Sequence, residues 1–139
     1  MKATDILQTH DLKKTNSRLA LIKALQESTF PQSENEMKSR MSDQYDRITF
    51  YRNVQALEDA GVIHRIVVDS HTVKYALNCC ETEKKHQHLH KHMHFNCKSC
   101  GKTFCLENVD VKQYPIPADF QAEECEVMIK GYCKFCNQQ

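Results

Sequence analysis

Glycine and proline are scarce, with three of each in 139 residues. So little of either argues against a disordered or linker-like chain. Neither sign of charge dominates: Lys plus Arg number 19, Asp plus Glu 18, and the formal net charge is +1. The balance excludes binding of nucleic acid by bulk charge, so any such surface must be a local patch. No apolar run is long enough to span a membrane. The opening Met1-Lys2-Ala3-Thr4-Asp5 reads as the start of a polar amphipathic segment and not as a secretory leader. The expected compartment is therefore the cytoplasm, where thiols stay reduced. The length allows one ordinary domain or two small ones.

Against these absences stand eight cysteines, which in a reducing compartment favour metal binding over disulfides. They are concentrated around the stretch from His86 to Cys105. His86, His88, His90, His92 and His94 recur at a spacing of two, Cys97 and Cys100 form a Cys-x-x-Cys pair, and Cys105 follows. Cys133 and Cys136 make a second pair near the C-terminus. Two residues between ligands let the chain turn tightly and aim both thiolates at one ion, so two pairs read as a closed four-sulfur zinc site. The plainer alternative is a pair of disulfides. Residues 101–132 separate the pairs, so a small domain should lie between the halves of the site. The histidines would share a face in an extended chain, but they cannot all share one ion. His86 and His88 read as solvated linker residues.

Helical signals come first along the chain. Residues 3–10 read as a short helix. Thr15 is placed to cap a second, with Leu19, Leu21, Ile22 and Leu25 on its inner side, ended by Thr29-Phe30-Pro31. Ser33 and Glu36 form a capping box for a third, with Met37 and Met41 facing inward. The fourth runs from about Asp46 to Ala60, with Ile48, Tyr51, Val54 and Leu57 at helical spacing. Ile48, Val54 and Leu57 are expected in the core. Gly61 sits just past the C-terminus.

After Gly61 the period changes. Residues 62–68 and 72–77 are rich in β-formers around an Asp69-Ser70 turn, which reads as a hairpin. Three helices followed by a hairpin form a winged helix, in which the helix before the hairpin recognises DNA. That helix carries Arg47, Arg52, Asn53 and Gln55, which can hydrogen-bond phosphates or base edges, and Tyr51, which can stack or meet a thymine methyl. The plainer reading is a surface helix that happens to bear two arginines. Residues 78–91 read as a polar connector, including Cys79 and Cys80. Beyond it, residues 94–97 and 103–106 read as short strands, 109–114 as a short helix cut off by Pro115 and Pro117, and 127–129 as the centre of a further strand. This second lobe is too small to stand on an apolar core alone; a zinc staple and a partner subunit would both help. The expected fold class is α+β: a winged-helix DNA-binding domain over 1–77, a connector over 78–91, and a small α/β metal-binding dimerisation domain over 92–139.

With these residues in view, the chain resembles the ferric uptake regulator family along nearly its whole length. The likeness rests on Leu-Lys-Lys-Thr-x-x-Arg at 12–18, Ile-Thr-Phe-Tyr-Arg-Asn at 48–53 and Leu-Glu-Asp-Ala-Gly-Val-Ile-His at 57–64. It continues through His-x-His-Phe-x-Cys-x-x-Cys-Gly-Lys at 92–102 and Gly-x-Cys-x-x-Cys at 131–136. Each piece alone is weak; their order is specific. The resemblance implies a homodimeric, metal-dependent repressor of metal-homeostasis genes that binds a pseudo-palindromic operator in double-stranded DNA, with no membrane partner and no enzymatic activity. It implies that Cys97, Cys100, Cys133 and Cys136 hold a structural zinc. Tyr51 and Arg52 fall on DNA-contacting positions, and Arg18, Thr49 and Asn53 complete the expected interface.

The resemblance also places a regulatory metal between the lobes. His92 and His94 match its paired histidines, Cys105 falls where many members have a glutamate, and His64 matches a ligand of the zinc-sensing branch. Cys79 lies one residue from a cysteine of that branch. For His64 a ligand role and a plain strand residue both stand open. The connector is longer than in typical members, Pro31 replaces a histidine common in iron sensors, and Cys125 is expected to be structural, with Lys91, Met93 and Lys112 at its companion positions. A complete third site is therefore not expected. Thiolate with imidazole suits zinc, whereas carboxylate-rich sets suit iron or manganese. The expected regulatory metal is zinc, with iron the alternative. Peroxide sensing is disfavoured because no Asp adjoins His92 or His94. A thiol–disulfide enzyme would need a βαβ context and a single reactive pair. A metal buffer or chaperone would leave the winged helix without a purpose.

Overall fold

Side chains that accept from exposed helix N–H groups set the frame of the first part of the chain. In the computed structural model, which describes residues 2–78, 92–110, 115–122 and 125–137 (backbone only at 92 and 107–110), three of the four α-helices begin on such a cap. Helix α1 is Ala3–Thr9 and α2 is Asn16–Gln26, where Thr15 Oγ1 accepts from Arg18 N at 3.2 Å. Helix α3 is Glu34–Met41, where Ser33 Oγ accepts from Glu36 N at 3.3 Å. Helix α4 is Arg47–Asp59, where Asp46 Oδ2 accepts from Thr49 N at 3.0 Å. Each such cap contributes about 1 kcal/mol. The far end of α4 is closed by backbone alone: Val62 N reaches Leu57 O at 2.8 Å and Gly61 N reaches Glu58 O at 3.0 Å. This Schellman arrangement needs a left-handed residue after the helix, and Gly61 supplies it with φ +78°.

Strand β2 (Ile63–Val67) pairs antiparallel with β3 (Val73–Leu77), as the hairpin signal predicts. A two-residue strand, β1 (Gln32–Ser33), adds to the other edge of β3, giving the order β1-β3-β2. The helices bury Leu7, Leu21, Ile22, Leu25, Met37, Met41, Phe50, Val54 and Leu57 against Val62, Ile63 and Tyr75 of the hairpin. Phe50 is the hub, edge-on to Tyr75 at 5.8 Å and tilted against Tyr45 at 5.8 Å. Lys74 Nζ meets Glu36 Oε1 at 2.8 Å and ties the hairpin to α3.

One core expectation fails. Ile48 is 67% exposed. The buried face of α4 is Phe50, Asn53, Val54 and Leu57, a set phased by Phe50. Ile48 lies about 200° around the helix from Phe50 and so points outward.

The second part builds a separate sheet. Strand β4 (His92–Cys97) is central, antiparallel to β5 (Thr103–Asp110) and parallel to β6 (Met128–Gly131), in the order β5-β4-β6. The short helix expected at 109–114 is not what the chain adopts at 109 and 110, which belong to β5. The ladder to β4 draws them into extended form; 111–114 lie outside the described residues. Gly131 has a packing reason: a Cβ there would come within 3.3 Å of the Phe95 ring on β4. The chain divides into two compact units, Met1–Cys79 and Cys80–Gln139. Among the described residues no helix is long and apolar enough to cross a membrane.

Candidate functional site

The second unit gathers four sulfurs. Each Cys-x-x-Cys folds into a tight turn on the carbonyl of its first cysteine: Gly101 N reaches Cys97 O at 3.0 Å, and Cys136 N reaches Cys133 O at 3.0 Å. The first turn needs the left-handed Gly101, φ +74°. The parallel β4–β6 pairing then brings the turns together, with Lys98 N on Gly131 O at 2.7 Å. The thiol sulfurs of Cys97, Cys100, Cys133 and Cys136 all lie within 4.8 Å of one another. Cys100 and Cys133 are 3.9 Å apart. A disulfide needs about 2.05 Å, and these cysteines are free. Tetrahedral zinc with Zn–S near 2.3 Å puts its sulfurs roughly 3.8 Å apart, so the set fits that ion.

Hydrogen bonding favours the thiolate at one of the four sulfurs. Cys97 Sγ accepts from the peptide N–H of Cys100 at 3.5 Å and of Cys133 at 3.4 Å. Those donors, Cys100 first, pull its thiol down to about 6. Cys136 moves the opposite way, pushed up to about 11 by its hydrogen bond with Cys133. Four thiols this close cannot all ionise without a compensating charge, and a dication supplies it.

A second set of donors lies further along the same sheet. His94 and Cys105 are directly opposed on β4 and β5, and their ligand atoms lie within 4.8 Å of each other. One imidazole and one thiolate can thus reach a common ion. The register shifts between His92 and Met93, so the regular alternation is broken between the two histidines of β4. Cys79, Cys80, His86, His88, His90 and Lys91 lie outside the described residues, as does Lys112. Cys125 is exposed.

His64, in the first unit, sits on β2 opposite Ala76. Its Nδ1 is 2.7 Å from Asn78 Oδ1. Asn78 Nδ2 in turn donates to Gly61 O at 2.6 Å, with Ile63 O at 3.4 Å.

The nucleic-acid interface expected on α4 has an outward stripe of Arg47, Ile48, Tyr51, Arg52 and Gln55, all exposed. Three other expected members of the interface are occupied inside the unit. Asn53 is buried; its Oδ1 accepts from Arg18 Nε at 3.2 Å and its Nδ2 donates to Ser17 Oγ at 3.0 Å. Arg18 also donates to Lys13 O at 3.0 Å. These bonds brace α2 against α4, so Asn53 does not stand on the exposed face of α4. Thr49 Oγ1 is held by the cap carboxylate of Asp46 at 2.8 Å.

Sequence reasoning missed Glu34 and Asn78. The Glu34 carboxylate accepts from both Tyr45 and Tyr51 hydroxyls, anchoring an aromatic of the exposed stripe. Its hydrogen bond pushes Tyr45 up to about 12 and raises Tyr51. No local pattern marks a carboxylate 17 residues from its partner. Asn78 had a weak signal, a polar residue closing the second hairpin strand, and reads as the start of the connector.

The family model described as the ferric uptake regulator family matches residues 9–129. The ferric uptake regulation protein of Campylobacter upsaliensis is 31% identical over 147 residues, covering 99% of this chain and 88% of that protein. The solved Vibrio cholerae ferric uptake regulator matches with TM-score 0.61 at 19% identity, covering 94% of this chain and 98% of that one. The Campylobacter jejuni peroxide stress regulator matches with TM-score 0.57 at 23% identity, covering 98% and 100%. At these identities the solved structures bear on the fold alone, and a shared fold does not choose the signal that is sensed.

Proposed function

The chain belongs to the ferric uptake regulator family, whose members are metal-responsive, DNA-binding transcription regulators and not enzymes; from that premise we propose that it is a zinc-responsive repressor of metal-homeostasis genes. It acts as a homodimer on a pseudo-palindromic operator in double-stranded DNA. Cys97, Cys100, Cys133 and Cys136 hold a structural zinc. A separate regulatory ion takes His64 from the first unit and His92, His94 and Cys105 from the second, with Cys79 as a further candidate. Tyr51 and Arg52 meet DNA; Arg18, Thr49 and Asn53 hold the recognition helix in place. The domains follow as a DNA-binding domain over 1–77, a connector over 78–91 and a dimerisation domain over 92–139.

The observation that carries the choice of zinc is Cys105 opposite His94 on adjacent strands. Thiolate paired with imidazole suits zinc better than ferrous iron. Exposed Ile129, Tyr132 and Phe135 support the homodimer, because an apolar surface of this kind is ordinarily covered. Binding the regulatory ion through residues of both units fixes the winged helices of a dimer at the spacing of successive major-groove half-sites. The metal thus shifts a population towards the DNA-competent form.

An iron-responsive repressor is the second reading, favoured by the ferric uptake role of the Campylobacter upsaliensis relative. Operator binding measured in buffered metals separates the two. Zinc at realistic free concentration should restore binding to protein holding only structural zinc, and Cys105→Ala should shift that response to higher zinc. Activation by ferrous iron but not by buffered zinc, or a wild-type zinc response in Cys105→Ala, overturns the zinc reading.

A further inference from the structure

The hydrogen bonds around His64 settle a question that its position in sequence leaves open, namely which ring nitrogen carries the proton. Gly61 O and Ile63 O are carbonyl oxygens and can only accept. The Asn78 atom facing them, 2.6 Å and 3.4 Å away, must therefore be the amide nitrogen. That fixes the other end of the amide, so the atom 2.7 Å from His64 Nδ1 is the oxygen Oδ1. An amide oxygen also only accepts. His64 Nδ1 must then be the donor and carry the hydrogen. In the neutral ring the lone pair falls on Nε2.

The backbone keeps this arrangement from drifting. Asn78 N donates to Val62 O at 2.9 Å, continuing the ladder one step past the Ile63–Leu77 pair. Gly61, whose carbonyl orients the amide, is itself held by the helix-ending bond to Glu58 O at 3.0 Å. The chain of control runs from the end of α4, through Asn78, to one ring.

We propose that Asn78 is a positioning residue that locks His64 in the Nδ1–H tautomer and so presents Nε2 as the metal donor. The proposal rests on His64 being a ligand of the regulatory ion. Ligating histidines generally donate their other ring N–H to a fixed acceptor, which sets ring orientation and raises ligand basicity. Asn78 supplies that acceptor from within the same unit. Left alone, a neutral histidine side chain favours the opposite tautomer, with the lone pair on Nδ1.

The test uses the full chain holding only its structural zinc, at about pH 8, above the ordinary imidazole range. Ring ¹⁵N chemical shifts of His64 read the tautomer directly, without the regulatory metal. Wild type should show the Nδ1–H form; an Nε2–H form or an even mixture overturns the proposal. Asn78→Ala should move the ring towards Nε2–H and shift the zinc response of operator binding roughly 10- to 100-fold higher. Asn78→Asp keeps an acceptor for Nδ1–H and should keep the wild-type tautomer although it cannot donate to Gly61 O. If Asn78→Ala retains both tautomer and zinc response, the assignment is wrong. If Asn78→Ala does not fold, the wild-type and Asn78→Asp spectra decide. His64→Ala separates the premise: an unchanged zinc response removes His64 from the metal site, whatever the tautomer.

Discussion

The first unit buries Leu7, Leu21, Ile22, Met37, Phe50, Val54, Leu57 and Ile63 to within 1% exposure. Among the described residues of the second, the buried residues that are not polar are Cys97 and Cys133. Meanwhile Ile116, Phe120, Ile129, Tyr132 and Phe135 of that unit stand in solvent. One unit is held by apolar burial, at about 1.5–3 kcal/mol for each fully buried large side chain. The other places sulfur where a core would be. On the proposed reading, the difference teaches how a small sheet can hold its shape: metal coordination and a partner surface would replace an interior that the chain is too short to build.

The largest effect should come from breaking the sulfur cluster. Cys97→Ser should lose one tightly held zinc and unfold the β4–β6 sheet, because structural zinc contributes on the order of 10 kcal/mol to folding a small domain. Metal analysis with thermal melting checks this, and unchanged zinc with an unchanged melt would reject the staple. Leu57→Ala attacks the other material. It should destabilise the first unit by about 2–5 kcal/mol, while zinc content stays at the wild-type value. Denaturant unfolding with zinc analysis tests whether the two supports are separable; loss of zinc in this variant would tie them together.

Arg52→Ala touches neither support. It should weaken operator binding by about 1–3 kcal/mol with an unaltered melt. If Arg52 reads a base, discrimination relaxes at one position; if it holds phosphate, the salt slope falls. Wild-type affinity would remove it from the interface. Ser33→Ala should cost about 1 kcal/mol in the first unit by uncapping α3, seen as a lower denaturation midpoint, and no loss would show that another group takes the orphan N–H. Smallest is an acid effect at Glu36. Burial alone would raise its carboxyl, but the hydrogen bond and charge of Lys74, with the hydrogen bonds to Ser33, outweigh that and hold it below the ordinary 4.5. A lowered folded value means that this contribution is present above the unfolded value and is lost as pH falls through the folded one. Glu36→Gln should therefore flatten the acid limb of first-unit stability; an identical acid limb would show that Lys74 does not favour the carboxylate.

The parts that were legible in sequence are those written locally. Thr15 and Ser33 cap helices because a hydroxyl reaches an N–H three residues on, and the eye can count three. The hairpin is legible because Gly61 and Asp69-Ser70 punctuate two runs of β-formers. The four sulfurs are legible because two Cys-x-x-Cys pairs in one chain, outside a βαβ context, point to a four-sulfur metal site. Long-range choices left no such mark. Ile48, Tyr51, Val54 and Leu57 share helical spacing, and only the packing of Phe50 against Tyr75 decides which way α4 is turned. β1 has two residues and no periodicity to detect. The parallel pairing of β6 with β4, which closes the sulfur cluster, joins segments that no local rule connects. Asn53 looked like a base reader because residue type alone cannot show that its amide is committed to Ser17 and Arg18. Asn78 looked like connector because its work depends on carbonyls that lie 15 and 17 residues before it.

The central claim is that the two units are supported by different materials, and residue-resolved amide hydrogen exchange on the intact chain tests it most directly. Exchange is recorded before and after a chelator removes zinc. Amides of β4, β5 and β6 should lose protection, while those of α2, α4, β2 and β3 keep theirs. Equal loss across both units, or retained protection in β4–β6 after the zinc is gone, would contradict the account.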